Sequence, residues 1–242
     1  MAGPKIELCF SPRLYEYRLI RNNFIGIVAD IFRATTSICA AMDYGISSVI
    51  PVAGLEEAKK KKEEGYLVAC ERDGKLLDFA DIGNSPSDFF KEHLKGKPVV
   101  FSTTNGTKAI QLVAEESDEV LVGAFMNVGA IADLLIERNE NVVVLCASWK
   151  NLFNLEDTLF GGLLAEKLLN NGFETECDST KAALDLWEKA GDDLAGYLRK
   201  SSHRNRLKHL LTEEDYLLSV SVNTSRTIPV YRDGVLYPYL KM

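Results

Sequence analysis

The sequence predicts an α/β fold, and three observations carry that expectation. Short Val/Ile-rich runs alternate with longer amphipathic ones. Over 242 residues, 46% hydrophobic and 26% charged side chains are enough to bury a substantial core. No linker rich in Pro, Gly or Ser divides the chain, so its length fits one domain, or two intimately packed subdomains with a boundary near 115–125.

The elements follow in order. KIELCF at 5–10 and FIGIVAD at 24–30 are too short and too apolar for surface helices and read as strands. A helix over 34–44 opens on threonines and a serine, as helix starts prefer. SVIPVA at 48–53 is the next strand, and GLEEAKKKKEEG puts a solvated helix over 55–64, its charges balanced in sign. YLVAC at 66–70 is a strand, and in GNSPSDFF the residues Ser85, Pro86 and Asp88 form a helix-start signature. PVVFST at 98–103 leads through Asn105-Gly106 into a helix over 105–115; EVLVGA at 119–124 leads into one over 127–138. VVVLCA at 142–147 precedes a helix over 155–170, for which Asn154 can cap with Asp157 as partner. The stretch 180–219 reads as several short helices, with the basic SSHRNRLKH at 201–209 as a surface helix that could also touch an anion. IPVYRDGVLYPY closes the chain as a hairpin turning at Asp233-Gly234.

Charge and composition exclude several classes. A net charge of −7 argues against nucleic acid and anionic membranes as partners. The first residues, MAGPKIELCF, lack the pattern of a signal peptide, and the most apolar stretch is broken by Asn127 and Asp133, so a cytoplasmic protein is expected. Five cysteines without metal-ligand spacing read as reduced core residues.

In α/β sheets functional groups gather where strands end. Here FIGIVAD ends in Asp30 and runs into Arg33, Thr35 and Thr36; YLVAC runs into Glu71 and Arg72; PVVF runs into Ser102, Thr103, Thr104, Asn105, Gly106 and Thr107. Asp30 and Glu71 are hard oxygen donors of the kind Mg²⁺ uses, although Asp30 fits a helix cap and Glu71 an ordinary ion pair. Arg33, ahead of a helix start, suits a tetrahedral oxyanion. The 102–107 loop resembles an anion cradle and equally a plain turn. Asn84 has no structural task and could face a cleft, while Glu156 and Asp157 suit a helix dipole or a site. Several chemistries are missing their signatures. CASWKNL after Cys146 has no arginine, Asp30-Ile31-Phe32 is not DxD, and neither GxSxG, HExxH nor GxGxxG occurs. The three histidines, His93, His203 and His209, stand beside no catalytic-looking neighbour in sequence. What remains is metal-assisted transfer to water at an oxyanion site.

DIFRATTS, ERDG, GNSP, STTNGT, the Asn127 segment and LED occur in an order that resembles the 2-phosphosulfolactate phosphatase family of the coenzyme M pathway, over nearly the whole chain. The resemblance implies two α/β subdomains with mixed sheets around a cleft, and a Mg²⁺-dependent hydrolase of (2R)-2-phospho-3-sulfolactate. It implies Asp30 and Glu71 near the metal, with Glu156 and Asp157 as further candidate ligands. Arg33, Arg72 and the Ser102 to Thr107 loop would surround the anionic groups, with Asn84 and Asn127 as further site candidates. The partner is then a small phosphorylated acid, and a homo-oligomer is compatible with it. Two departures stand near the site. Cys70 replaces the usual Gly before Glu-Arg, and Ser148 makes CAS of the usual CAG; both are expected to bear on the pocket. Hydrolysis of another small phosphorylated acid and an idle anion binder are the alternative readings.

Overall fold

The computed structural model describes residues 3–72 and 75–239. Asp73 and Gly74 of the ERDG motif therefore lie outside the described residues. In chain order the elements are β1 (Ile6–Cys9), α1 (Pro12–Tyr15), β2 (Phe24–Ala29), α2 (Ala34–Tyr44), β3 (Ser48–Pro51), α3 (Leu55–Glu63), β4 (Leu67–Arg72) and β5 (Lys75–Leu76). There follow β6 (Pro98–Ser102), α4 (Gly106–Ala114), β7 (Glu119–Gly123), α5 (Val128–Arg138), β8 (Asn141–Cys146) and α6 (Leu155–Leu169). The chain ends with α7 (Asp178–Ala190), α8 (Leu194–Leu198), α9 (Ser202–Arg206), α10 (Glu213–Ser219), β9 (Pro229–Arg232) and β10 (Val235–Pro238).

The fold is α/β, and among the described residues its strands form one ten-stranded mixed sheet in the order β1-β8-β2-β7-β9-β10-β3-β6-β4-β5. β1, β8, β2 and β7 are mutually parallel, as are β3, β6 and β4. The C-terminal hairpin is inserted between these two blocks, antiparallel to β7 on one side and to β3 on the other. Its turn is made by Asp233 and Gly234, both at positive φ (50° and 85°), as a tight two-residue hairpin requires. β2 is buried at every residue, which is why it reads as a continuous apolar run: helices cover both its faces. All five cysteines are free thiols, and four of them are buried.

Two connections cross from one parallel block to the other and position the site. The chain leaves β2 through α2 to reach β3, and returns from β6 through α4 to β7. The starts of α2 and α4 thereby meet: a Cβ on Gly106, the first residue of α4, would stand 2.6 Å from Ala34 Cβ and 2.9 Å from Asp30 Oδ2. Only glycine permits that approach.

Candidate active site

The two helix starts open into a cleft of about 130 Å³, well below the roughly 300–1,000 Å³ of a typical drug-sized site and suited to a small polar ligand. Asp30 and Glu71 line it, together with Phe32, Arg33, Asn84 and the consecutive residues Thr103, Thr104 and Asn105. Trp149, His203, Arg206, Leu207 and Leu210 complete the wall. The basic 201–209 segment, expected as a surface helix, thus covers the cleft with one face. Arg206 and Lys150 both lie against the Trp149 ring, 4.4 and 4.5 Å from its centroid, placing two cations at this rim.

Asp30 is 6% exposed and forms no ion pair among the described residues. Burial pushes its pKa up to about 6, with Glu71 and Glu156 adding to the rise and His203 and the Ala34 amide opposing it. The cap reading of Asp30 is realised only through that amide, since α2 has no side-chain cap at Arg33. Glu71, also 6% exposed, accepts from Thr104 N at 3.1 Å and Thr104 Oγ1 at 3.3 Å, which ties the 102–107 loop to β4.

Arg33 is anchored at one end of its guanidinium. Nη1 donates to Ser85 Oγ at 2.8 Å and to the Leu210 carbonyl at 2.9 Å. Nε is buried without a partner, and no described residue accepts from Nη2, so the Nε–Nη2 edge, the fork that grips an oxyanion by two parallel bonds, is uncommitted. Asn84 lines the same cleft with a buried Oδ1 that has no partner.

Other expected site residues hold the cleft in shape. Thr35 Oγ1 accepts from Asp30 N at 2.9 Å, and Thr36 Oγ1 donates to the Ile31 carbonyl at 2.9 Å; both lock the loop after β2. Thr107 donates to the Thr103 carbonyl, and its amide reaches Thr103 Oγ1. Arg72 lies outside the cleft lining: strand residues alternate faces, so with Glu71 turned to the cleft, Arg72 instead donates to Ser102 Oγ, the Ala53 carbonyl and the Glu71 carbonyl. Ser102 is buried in that contact. Asn127 also lies outside the lining and spends its amide on Ala124 N and the carbonyls of Val122 and Thr227, fastening the hairpin to the sheet.

Glu156 and Asp157 are buried beneath the cleft and occupied there. Glu156 accepts from Ser201 Oγ at 2.8 Å and from His203 Nδ1 at 2.7 Å. Asp157 accepts from the amides of Ile31 and Ser148 and from Asn154 Nδ2; burial, with Glu156 and Asp30 nearby, raises its pKa well above the usual carboxylate range. Asn154 therefore donates to Asp157 and makes no side-chain cap of α6. His203, like Phe32, Trp149 and Arg206, lines the cleft without having been among the expected site residues; its partner Glu156 stands 47 positions earlier.

Among the described residues no group of three or more His, Cys, Asp or Glu is arranged around a metal position. Mg²⁺ needs only one or two carboxylates, with waters and substrate oxygens supplying the rest. The buried Asp30 without an ion pair, with Glu71 close enough to raise its pKa, fits that requirement.

The two departures have separate explanations. Cys70 faces the small apolar cluster of Val52, Ala58, Val68 and Val100 and lies outside the cleft lining. Ser148 sits at φ 58°, where glycine is favoured, and its buried Oγ has no partner. Ser148→Gly is expected to stabilise the protein by about 1 kcal/mol, from relief of the left-handed backbone. Urea unfolding checks this, and a fall in stability contradicts it.

The 2-phosphosulpholactate phosphatase family model matches residues 9–234. A protein of Thermotoga petrophila named probable 2-phosphosulfolactate phosphatase is 34% identical over 210 residues, 87% of this chain and 90% of the relative. Proteins of the same name from Clostridium beijerinckii (31% identical, 95% of this chain and 98% of the relative) and Prochlorococcus marinus (34%, 87% and 90%) match over similar spans. With the family model and these relatives agreeing over most of its length, the chain belongs to the 2-phosphosulpholactate phosphatase family.

Proposed function

We propose that this protein hydrolyses (2R)-2-phospho-3-sulfolactate to 3-sulfolactate and phosphate with Mg²⁺ bound at Asp30 and Glu71. One observation carries the reading: a buried carboxylate without an ion pair and a buried guanidinium edge without an acceptor line the same small cleft. Each costs about 1–3 kcal/mol if left unmet, and a phosphoryl group with its cation meets both. Bound Mg²⁺ supplies charge neutralisation on the phosphoryl oxygens. The Nε–Nη2 edge of Arg33 orients the phosphoryl group, and the Thr103 to Asn105 backbone at the start of α4 favours its negative charge. Asp30 either positions the attacking water or attacks phosphorus itself. Arg206 and Lys150 at the rim draw a substrate that carries phosphate, sulfonate and carboxylate toward an otherwise acidic protein.

The test is inorganic phosphate release from 2-phosphosulfolactate, phospholactate and phosphoglycolate, with Mg²⁺ and with EDTA. Turnover is expected with Mg²⁺, fastest on the sulfonate, and absent in EDTA. Equal rates on all three would reassign the substrate, and no release from folded protein would sink the phosphatase reading.

A further inference from the structure

The roles assigned so far leave one nucleophilic side chain of the cleft without a task. His203 stands 7% exposed on α9, with Nδ1 2.7 Å from Glu156 Oε1. Asn154 Nδ2 also approaches Nδ1, at 3.3 Å, so this nitrogen is engaged inside the protein and exchange with the cleft is left to Nε2. Glu156, fully buried, takes the Ser201 hydroxyl on its other oxygen, so both of its oxygens are occupied and the carboxylate that holds the ring is itself held. Nε2 has no hydrogen-bond partner among the described residues, and the ring lines the cleft beside Arg33 and Asp30. Phe32 packs against the ring at 6.4 Å, edge to face. The charged groups around His203 are Glu156 from α6, Asp30 from the end of β2, and the Arg33 and Arg206 guanidinium groups that line the same cleft.

We propose that His203 is the general acid for the leaving oxygen, with Glu156 and Ser201 as its positioning residues; this rests on the phosphatase reading above. A secondary alkoxide leaves poorly, and the two carboxylates lining the cleft are engaged with the metal and the nucleophile. As the P–O ester bond breaks, its electron pair goes to the alkyl oxygen and the Nε2 proton passes to that oxygen, releasing the alcohol. The imidazole stays anchored through Nδ1 to Glu156, and the water that completes hydrolysis returns a proton to Nε2. General acids of this kind contribute about 10²–10⁴-fold.

His203→Asn tests the assignment cleanly, because the asparagine amide can occupy the place of Nδ1–H and keep the bond to Glu156. On 2-phosphosulfolactate, kcat should fall by about 10²–10⁴-fold with KM little changed. On p-nitrophenyl phosphate, whose phenolate leaves without a proton, the loss should stay below about tenfold. Equal losses on both esters, or a rise in KM alone, overturn the assignment while leaving the phosphatase reading intact. If the variant does not fold, the wild type decides: rates on p-nitrophenyl and phenyl phosphate within about tenfold support proton delivery, and a steep dependence on leaving-group basicity overturns it. A wild type inert toward every ester overturns the phosphatase reading and this assignment with it.

Discussion

Stripped of divalent metal and held at pH 8, the Asp30→Asn protein should be more stable than wild type while releasing no phosphate. Burial raises the Asp30 pKa from 3.8 to about 6, with Glu71 and Glu156 adding to the rise. The folded state therefore binds this proton more tightly than the unfolded state, and the stability linked to it is lost as pH climbs from about 4 through about 6. That gap corresponds to about 3 kcal/mol at 1.4 kcal/mol per unit. Asparagine presents a neutral amide at every pH, so its advantage should be full at pH 8 and vanish below pH 4. Urea unfolding in EDTA at the two pH values measures this. Mg²⁺ should then raise the unfolding temperature of wild type much more than that of the variant, because it neutralises the charge that asparagine has removed. A variant less stable than wild type at pH 8 would mean that the Asp30 charge is already compensated by the protein, and the argument for a cation at this carboxylate would fail.

The seven strands and five helices read from the sequence up to residue 170 all appear, displaced by no more than two residues at their ends. Their signals are local: β2 and β8 are apolar on both faces, and the Asn105-Gly106 turn marks the start of α4. The hairpin was equally legible, because Asp233-Gly234 dictates its turn. Its place between β7 and β3 was not, since a hairpin's own residues carry no information about which edges it will join. The site divides in the same way. Asp30, Arg33, Glu71 and Thr103 to Asn105 follow strand ends, as that rule expects of site residues, and all of them line the cleft. Arg72 followed a strand end too, but the two-residue period of β4 turns it from the face Glu71 uses, a constraint already present in the sequence. His203 could be found only through tertiary contact: the 203–210 segment reaches the cleft because Arg33 holds the Leu210 carbonyl and Glu156 holds the imidazole.

Arg33→Lys should lower kcat/KM on 2-phosphosulfolactate by about 10²–10³-fold, the usual effect of removing one preorganised donor from a developing oxyanion. The guanidinium does two jobs with different atoms: Nη1 bonds Ser85 and Leu210, while Nε and Nη2 are left for the ligand. A lysine keeps the charge but has a single nitrogen, so it can hold the Leu210 carbonyl or contact the phosphoryl group, not both in the arginine geometry. Arg33→Ala should go further. It leaves the Leu210 carbonyl without its donor, at about 1–3 kcal/mol, and loosens the wall that carries His203. The two effects separate experimentally. Binding of inorganic phosphate, measured by calorimetry with Mg²⁺ present, should weaken in both variants, whereas amide exchange across residues 203–210 should quicken chiefly in Arg33→Ala. Unchanged phosphate binding in Arg33→Lys would place the oxyanion elsewhere in the cleft, with the Thr103 to Asn105 loop and Asn84 as the groups left to hold it.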